Sequence, residues 1–177
     1  MRSATDLLVQ YAAYHRDRRN ITSHLVGVPM IVFAVGVLLA RPAFPVGSMA
    51  LTPAWIAFLL AAAWYLTRGN LVLGTAVSVA VGFLILLAHG VATGGIAVWL
   101  AWGVGLFVVG WLIQFVGHYY EGRKPAFVDD LTGLLVGPMF VVAEWLFALG
   151  ARKPMLEEIE RRVGPTILRD LAHPAWR

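Results

Sequence analysis

Five histidines and no cysteine set the chemistry open to this 177-residue chain. With thiolates and disulfides excluded, any metal has to be held by His, Asp or Glu. The histidines are His15, His24, His89, His118 and His173. His118 and Glu121 stand three apart in GHYYEG, which on a continuous helix puts an imidazole and a carboxylate on one face, about one turn apart. That pair could serve one ion, as the reversed Glu-xx-His order does in carboxylate-bridged di-iron helices. Spacing alone is weak support, because an interfacial His and Glu facing lipid headgroups give the same pattern. His15 and His24 are nine apart, which on one straight helix separates them by about 13 Å and turns them to opposite faces. They can meet only if the chain bends, and the capping residues Asn20, Thr22 and Ser23 predict a turn around 20 to 23. Otherwise His15 is solvated and His24 is an interface anchor. His89 and His173 read as structural or solvated. Glu144 lies within an apolar segment and needs a partner there, for function or for a structural hydrogen bond.

The elements that must position these groups are set by hydropathy. Hydrophobic residues make up 59% of the chain against 14% charged, more than a soluble core of this length can hide. The chain therefore reads as all-α: a polytopic transmembrane helical bundle forming a single integral membrane domain over 1–177. The net charge of +4 does not point to nucleic acid, because the 14 Lys and Arg gather at the ends of apolar segments, where they face anionic headgroups. Membrane lipid is the expected partner, and nothing signals a protein partner. The first twenty residues carry charges where a cleavable signal would place its apolar run.

Residues 5 to 18 predict an N-terminal amphipathic helix starting at Thr5 or Asp6 and closed by Arg16, Arg18 and Arg19. About five apolar segments follow, at 24–40, 54–67, 71–89, 96–118 and 131–149, and 155–163 predicts a C-terminal interfacial helix. The segment 54–67 is shorter than the roughly 17 to 25 residues of an ordinary crossing. Gly133 and Gly137 form a small-xxx-small pair suited to close helix approach. Arg16, Arg18 and Arg19 before the first span, against Arg41 alone after it, favour a cytoplasmic N-terminus. Five crossings would then put the basic C-terminal tail outside, against the same rule, so four crossings with one non-spanning segment stay open. On either count an odd number of crossings separates the starts and ends that carry His15, His24 and His118, so all three share one face of the membrane.

The chain carries no P-loop, no GxGxxG after a strand, no GxSxG elbow and no HExxH. Histidine-box desaturases and hydroxylases need HxxxH and HxxHH clusters, which five histidines so spaced do not supply.

Two stretches together carry a resemblance: YAAYHRDRRNITSHLVGVP at 11–29 and WLIQFVGHYYEGRKPAFVDDLTGLLVGP at 111–138. They resemble the small membrane family typified by the fungal endoplasmic-reticulum 2-hydroxy fatty acid dioxygenase, which has bacterial members. Tyr11, His15, Asn20, His24, Gly27 and Pro29 match its first pattern. Gln114, Phe115, Gly117, His118, Glu121, Gly122, Pro125 and Ala126 match its second. The resemblance implies an Fe(II)-dependent α-oxidation in which a 2-hydroxy fatty acid and O₂ give the fatty acid one carbon shorter plus CO₂. It implies Fe²⁺ held by His15, His24 and His118, with Glu121 as a further ligand. Arg123 and Lys124 are close enough in sequence to hold the substrate carboxylate. A bacterial inner membrane is the expected location. The alternative from another class is a non-catalytic membrane scaffold or lipid-binding protein whose histidines are structural.

Overall fold

The computed structural model describes residues 2–47 and 49–170, so His173 lies outside the described residues. The chain is helical almost throughout. Ser3 caps α1 (Ala4–Ala12), its hydroxyl accepting from the Asp6 amide at 3.2 Å. The predicted helix to residue 18 and turn at 20 to 23 are both displaced. α1 stops at Ala12, a turn follows over 13–17, and Asp17 caps α2 (Arg18–Ala40) by accepting from the Arg19 amide at 2.8 Å. The reason is local chemistry: Asp17 caps as well as Asn20 or Ser23 and comes first along the chain, and its carboxylate also takes the Arg19 guanidinium at 2.7 Å. Asn20, Thr22 and Ser23 are thereby free to lie inside the helix.

A short hairpin, β1 (Phe44–Val46) with β2 (Met49–Leu51), occupies the proline-rich loop. Thr52 and Pro53 then open α3 (Pro53–Leu66). α4 (Leu71–Ala92) follows a tight turn. A continuous helix from Ile96 to Glu121 comprises α5 (Ile96–Leu100), a π-helical turn (Ala101–Gly105) and α6 (Leu106–Glu121), which Gly122 ends in the left-handed region at φ 66°. A 3-10 turn (Ala126–Val128), α7 (Gly133–Ala148) and α8 (Lys153–Val163) follow.

Among the described residues three helices, α2, α4 and Ile96–Glu121, are long and apolar enough to cross a membrane, and α7 with α8 is so only if that bent pair is taken as one span. α2 is central, packed on α6, α4, α3 and α7. Its closest neighbour is α6 with the π-helical turn before it, where Gly103, Gly110 and Gly117 recur every seven residues. A Cβ at these positions would meet Leu38 at 2.4 Å, Ile31 at 2.7 Å and Ser23 at 1.9 Å. Apolar burial gives little drive for association in lipid, so this backbone-close packing is what joins the two helices.

α3, fourteen residues long, joins the same two ends as its neighbours. Thr52 at its start bonds His89 near the end of α4, while Arg68 after it accepts the Ala4 amide through its carbonyl at 2.8 Å. α7 behaves otherwise. Gly133 shares a cleft with Leu7 and Gln10 at one end, and Arg152 just past the other end shares a cleft with Thr5 and Asn70. Both ends of α7 therefore lie where α1 lies, and a bend of 116° returns the chain as α8 along α1, with Arg162 on Asp6 at 3.0 Å. These contacts support the four-crossing alternative, in which 131–149 covers one end of the bundle. Glu144 is partly buried there and faces Arg16, an electrostatic partner rather than a hydrogen-bonded one.

Candidate metal centre

The turn between α1 and α2 folds His15 back over the start of α2, where His24 projects one turn beyond Asn20. The two Nε2 atoms stand 3.0 Å apart, and His118 of α6 closes the group with ring centroids 5.0 and 5.1 Å from the other two. One ligand atom from each of the three lies within 4.8 Å of the others, and all three residues are buried. The structure thus brings His15, His24 and His118 together; one pair meets the 3 to 4 Å separation that a shared ion demands, and the third ring is slightly wider.

The hydrogen bonds fix what these rings offer. Nδ1 of His15 donates to the Tyr11 carbonyl at 2.7 Å, and Nδ1 of His24 donates to the Asn20 carbonyl at 2.9 Å. With both protons placed on Nδ1, both Nε2 atoms present bare lone pairs, so their 3.0 Å approach is not a hydrogen bond between neutral rings. Nδ1 of His118 is buried with no hydrogen-bond partner among the described residues. Burial, reinforced by the neighbouring His24, holds the His15 imidazole well below its usual range, so it stays neutral. Converging neutral nitrogens without their own donors are the donor set a divalent cation satisfies, and two nitrogens about 2.1 Å from one ion at right angles are about 3.0 Å apart. Tyr11 stacks on His15 with centroids 4.1 Å apart, and Phe140 backs both rings at 5.2 and 5.4 Å. These contacts leave the imidazoles little freedom to turn.

Glu121 is fully buried but is not brought to the triad. Its Oε2 accepts from the Arg16 amide at 2.9 Å, the Asp17 amide at 2.7 Å and Asn20 Nδ2 at 3.2 Å. Its Oε1 accepts from both Nε and Nη2 of Arg169, at 3.1 and 2.8 Å. Both oxygens are occupied, and the carboxylate pins the backbone that carries His15. The 165–170 segment strengthens this lock, since Ile167 exchanges backbone hydrogen bonds with Arg16 and Arg18 at 2.8 and 2.9 Å. Asp17 belongs to the same cluster: burial pulls its carboxyl upwards, but bonds from Arg19 and Arg169 outweigh that and hold it at about 2.

Beside His24 and His118 a small apolar cavity of about 70 Å³ opens between α2, α6 and α7. Val28, Ile31, Trp111, Phe127 and Pro138 form much of its wall. Arg123 and Lys124 are not in that wall. Arg123 donates to the Ala13 carbonyl at 2.8 Å and Lys124 pairs with Asp129 at 2.5 Å, just before Pro125, which does line the cavity. Gln114, by contrast, lines it one helical turn before His118, and both of its amide atoms are buried without a partner among the described residues.

Sequence reasoning gave no role to Gln114 or Asp17. A lone amide in the apolar run 111–118 was a readable signal, of the same kind that marked Glu144. Arg169, far along the chain and beside no motif, gave none.

A family model described as 2-hydroxy-palmitic acid dioxygenase Mpo1-like matches residues 1–149, and so includes all three histidines and Glu121 but stops short of Arg169. The 2-hydroxy-palmitic acid dioxygenase MPO1 of Saccharomyces cerevisiae is 34% identical over 142 residues, covering 79% of this chain and 78% of the yeast protein. No solved structure matches the chain. The matched length and the identity agree on one assignment: the chain belongs to the Mpo1-like family of 2-hydroxy-palmitic acid dioxygenases.

Proposed function

We propose that this protein is an Fe(II)-dependent dioxygenase that shortens 2-hydroxy fatty acids by one carbon. The observation that carries the reading is the pair of Nε2 lone pairs of His15 and His24 facing each other at 3.0 Å beside the unpartnered His118 Nδ1. Family membership supplies the substrate class. His15, His24 and His118 hold the ion, and Glu121 acts as a positioning residue that fixes the His15 turn. When bound, Fe(II) with three protein nitrogens and open positions supplies O₂ activation.

The stoichiometry closes without a reductant. A 2-hydroxy acid and O₂ give the shorter acid, CO₂ and water: the C1–C2 bond breaks, C2 rises from alcohol to carboxylic acid with loss of three electrons, and C1 leaves as CO₂ with loss of one. O₂ accepts all four. The chain's own residues hold the acid head beside His24 and His118, exclude water with the apolar wall, and let the alkyl chain lie between helices towards lipid. Arg123 and Lys124, immediately before Pro125, contribute a positive field that draws the carboxylate to the mouth.

The whole chain acts as one integral membrane domain, in a bacterial inner membrane with its N-terminus in the cytoplasm. With α7 not crossing, Arg16, Arg18, Arg19, Arg123, Lys124, Arg152 and Lys153 gather at the end that holds the histidines, and Arg41 lies at the other. Reporter fusions at the N-terminus and at residue 47 test the orientation, and a cytoplasmic residue 47 would reverse it. The function is tested by anaerobic reconstitution of the detergent-purified protein with Fe(II), followed by O₂ uptake with 2-hydroxypalmitate. Equimolar O₂ consumption and fifteen-carbon acid are expected, and a scaffold with structural histidines would give neither.

A further inference from the structure

We infer that Gln114 is the residue that recognises the 2-hydroxy acid head and distinguishes it from an unsubstituted fatty acid. The inference rests on the proposed function for the class of ligand, but its structural basis is independent of the triad. Gln114 is 3% exposed, lies in the cavity wall, and leaves both Nε2 and Oε1 without a partner among the described residues. A buried amide with neither end satisfied is costly, and a ligand that satisfies both ends removes that cost.

The slot around the amide is built by missing side chains. A Cβ on Gly27 would stand 2.6 Å from Gln114 Nε2 and 2.9 Å from the Gly110 carbonyl, so only glycine at 27 leaves the amide room between α2 and α6. Four residues on, His118 lies on the same face of α6, which places the amide one turn from the triad along the cavity.

The chemistry of the head matches the two ends of the amide. A carboxylate only accepts, and suits the Nε2 donor; a 2-hydroxyl on the next carbon can donate, and suits Oε1. An unsubstituted acid satisfies Nε2 and leaves Oε1 stranded. Sites built to hydrogen-bond a hydroxyl reject the analogue lacking it far more strongly than an apolar pocket rejects a missing methylene. The cationic side chains nearest in sequence, Arg123 and Lys124, bond elsewhere, so a neutral amide makes the contact.

The test uses full-length protein in detergent, loaded with Fe(II) under argon, and measures equilibrium binding of radiolabelled 2-hydroxypalmitate and palmitate. Wild type should prefer the hydroxy acid, and Gln114→Met, which keeps an unbranched side chain of similar length, should lower that preference at least about tenfold. Gln114→Leu should do the same. Iron content should stay at the wild-type level in both variants, which separates lost recognition from a collapsed site. If Gln114→Met keeps its iron and the full preference while wild type consumes O₂ with 2-hydroxypalmitate, the role of Gln114 is overturned and the proposed function stands. If wild type consumes no O₂ with that acid, the function fails and this inference fails with it.

Discussion

The two ends of the bundle use the same histidine device and complete it differently. His15, His24 and His89 each donate Nδ1–H to the carbonyl four residues earlier, at 2.7, 2.9 and 2.8 Å. At the far end, Nε2 of His89 meets the Thr52 hydroxyl at 2.8 Å and the ring stacks on Trp55 at 4.9 Å, so every polar atom has a neutral partner. At the near end, Nε2 of His15 meets Nε2 of His24, and His118 adds a third nitrogen without a donor. What faces the second nitrogen thus separates the partly buried His89, satisfied by a hydroxyl, from the buried His15 and His24, whose Nε2 atoms face each other and could share an ion. His89 serves as the internal control for the triad.

The largest effect should come from removing a triad member. His15→Ala, His24→Ala or His118→Ala should each reduce bound iron and O₂ consumption with 2-hydroxypalmitate to background, while His89→Ala leaves iron content unchanged. A His89→Ala protein that loses iron as completely as His24→Ala would erase the distinction between the two ends.

Next in size is the lock on the His15 turn. Glu121→Ala strips the acceptor from two backbone amides, Asn20 and Arg169, and breaking a buried pair of this kind costs about 3 kcal/mol. It should appear as a lower thermal midpoint and about 10- to 100-fold weaker iron binding, as for other groups that orient ligands without touching metal. Arg169→Ala, which leaves the three nearer bonds intact, should fall at the lower end of that range. Full iron affinity in Glu121→Ala would show that the His15 turn holds itself.

A third effect is pH dependence of the iron-free protein. The His15 imidazole titrates in the folded state well below its ordinary 6.5, so between those limits the unfolded chain binds a proton that the folded chain does not. Stability should therefore fall as pH drops below about 6.5, by up to about 1.4 kcal/mol per pH unit for this group. Urea denaturation midpoints between pH 7 and 5 measure the slope, and His15→Gln should flatten it. Asp17 acts in the opposite sense and in a lower window: its depressed carboxyl contributes stability above about 4, which is lost as pH falls through about 2.

The smallest effect belongs to the far end. Thr52→Val removes the neutral hydrogen bond to His89 together with the α3 cap bond from the Trp55 amide, and should cost about 1 to 2 kcal/mol in stability with iron binding unchanged.

Much of this comparison was legible in the sequence, for physical reasons that also set where it stopped. Hydropathy located the apolar segments, and crossing parity put His15, His24 and His118 at one end, because both follow from periodicity and length alone. The sequence predicts the fold-back of His15 but places the turn at 20–23 instead of 13–17, because Asp17 among three arginines reads as part of a charged helix end instead of a cap. Glu121 drew attention through its spacing from His118, yet spacing does not reveal that five donors from residues 16, 17, 20 and 169 saturate it. α7 is as apolar as a crossing helix, and hydropathy does not reveal that both its ends contact the α1 side, which favours its lying across the bundle. The seven-residue glycine repeat 103, 110, 117 was present to be read and explains the α2–α6 contact that brings His118 to His24.

The most direct test of the shared site is iron retained per chain after anaerobic Fe(II) reconstitution and desalting, compared across wild type, His89→Ala and His24→Ala. The structure predicts equal iron in the first two and background iron in the third. Equal iron in all three would contradict a centre built on His15, His24 and His118.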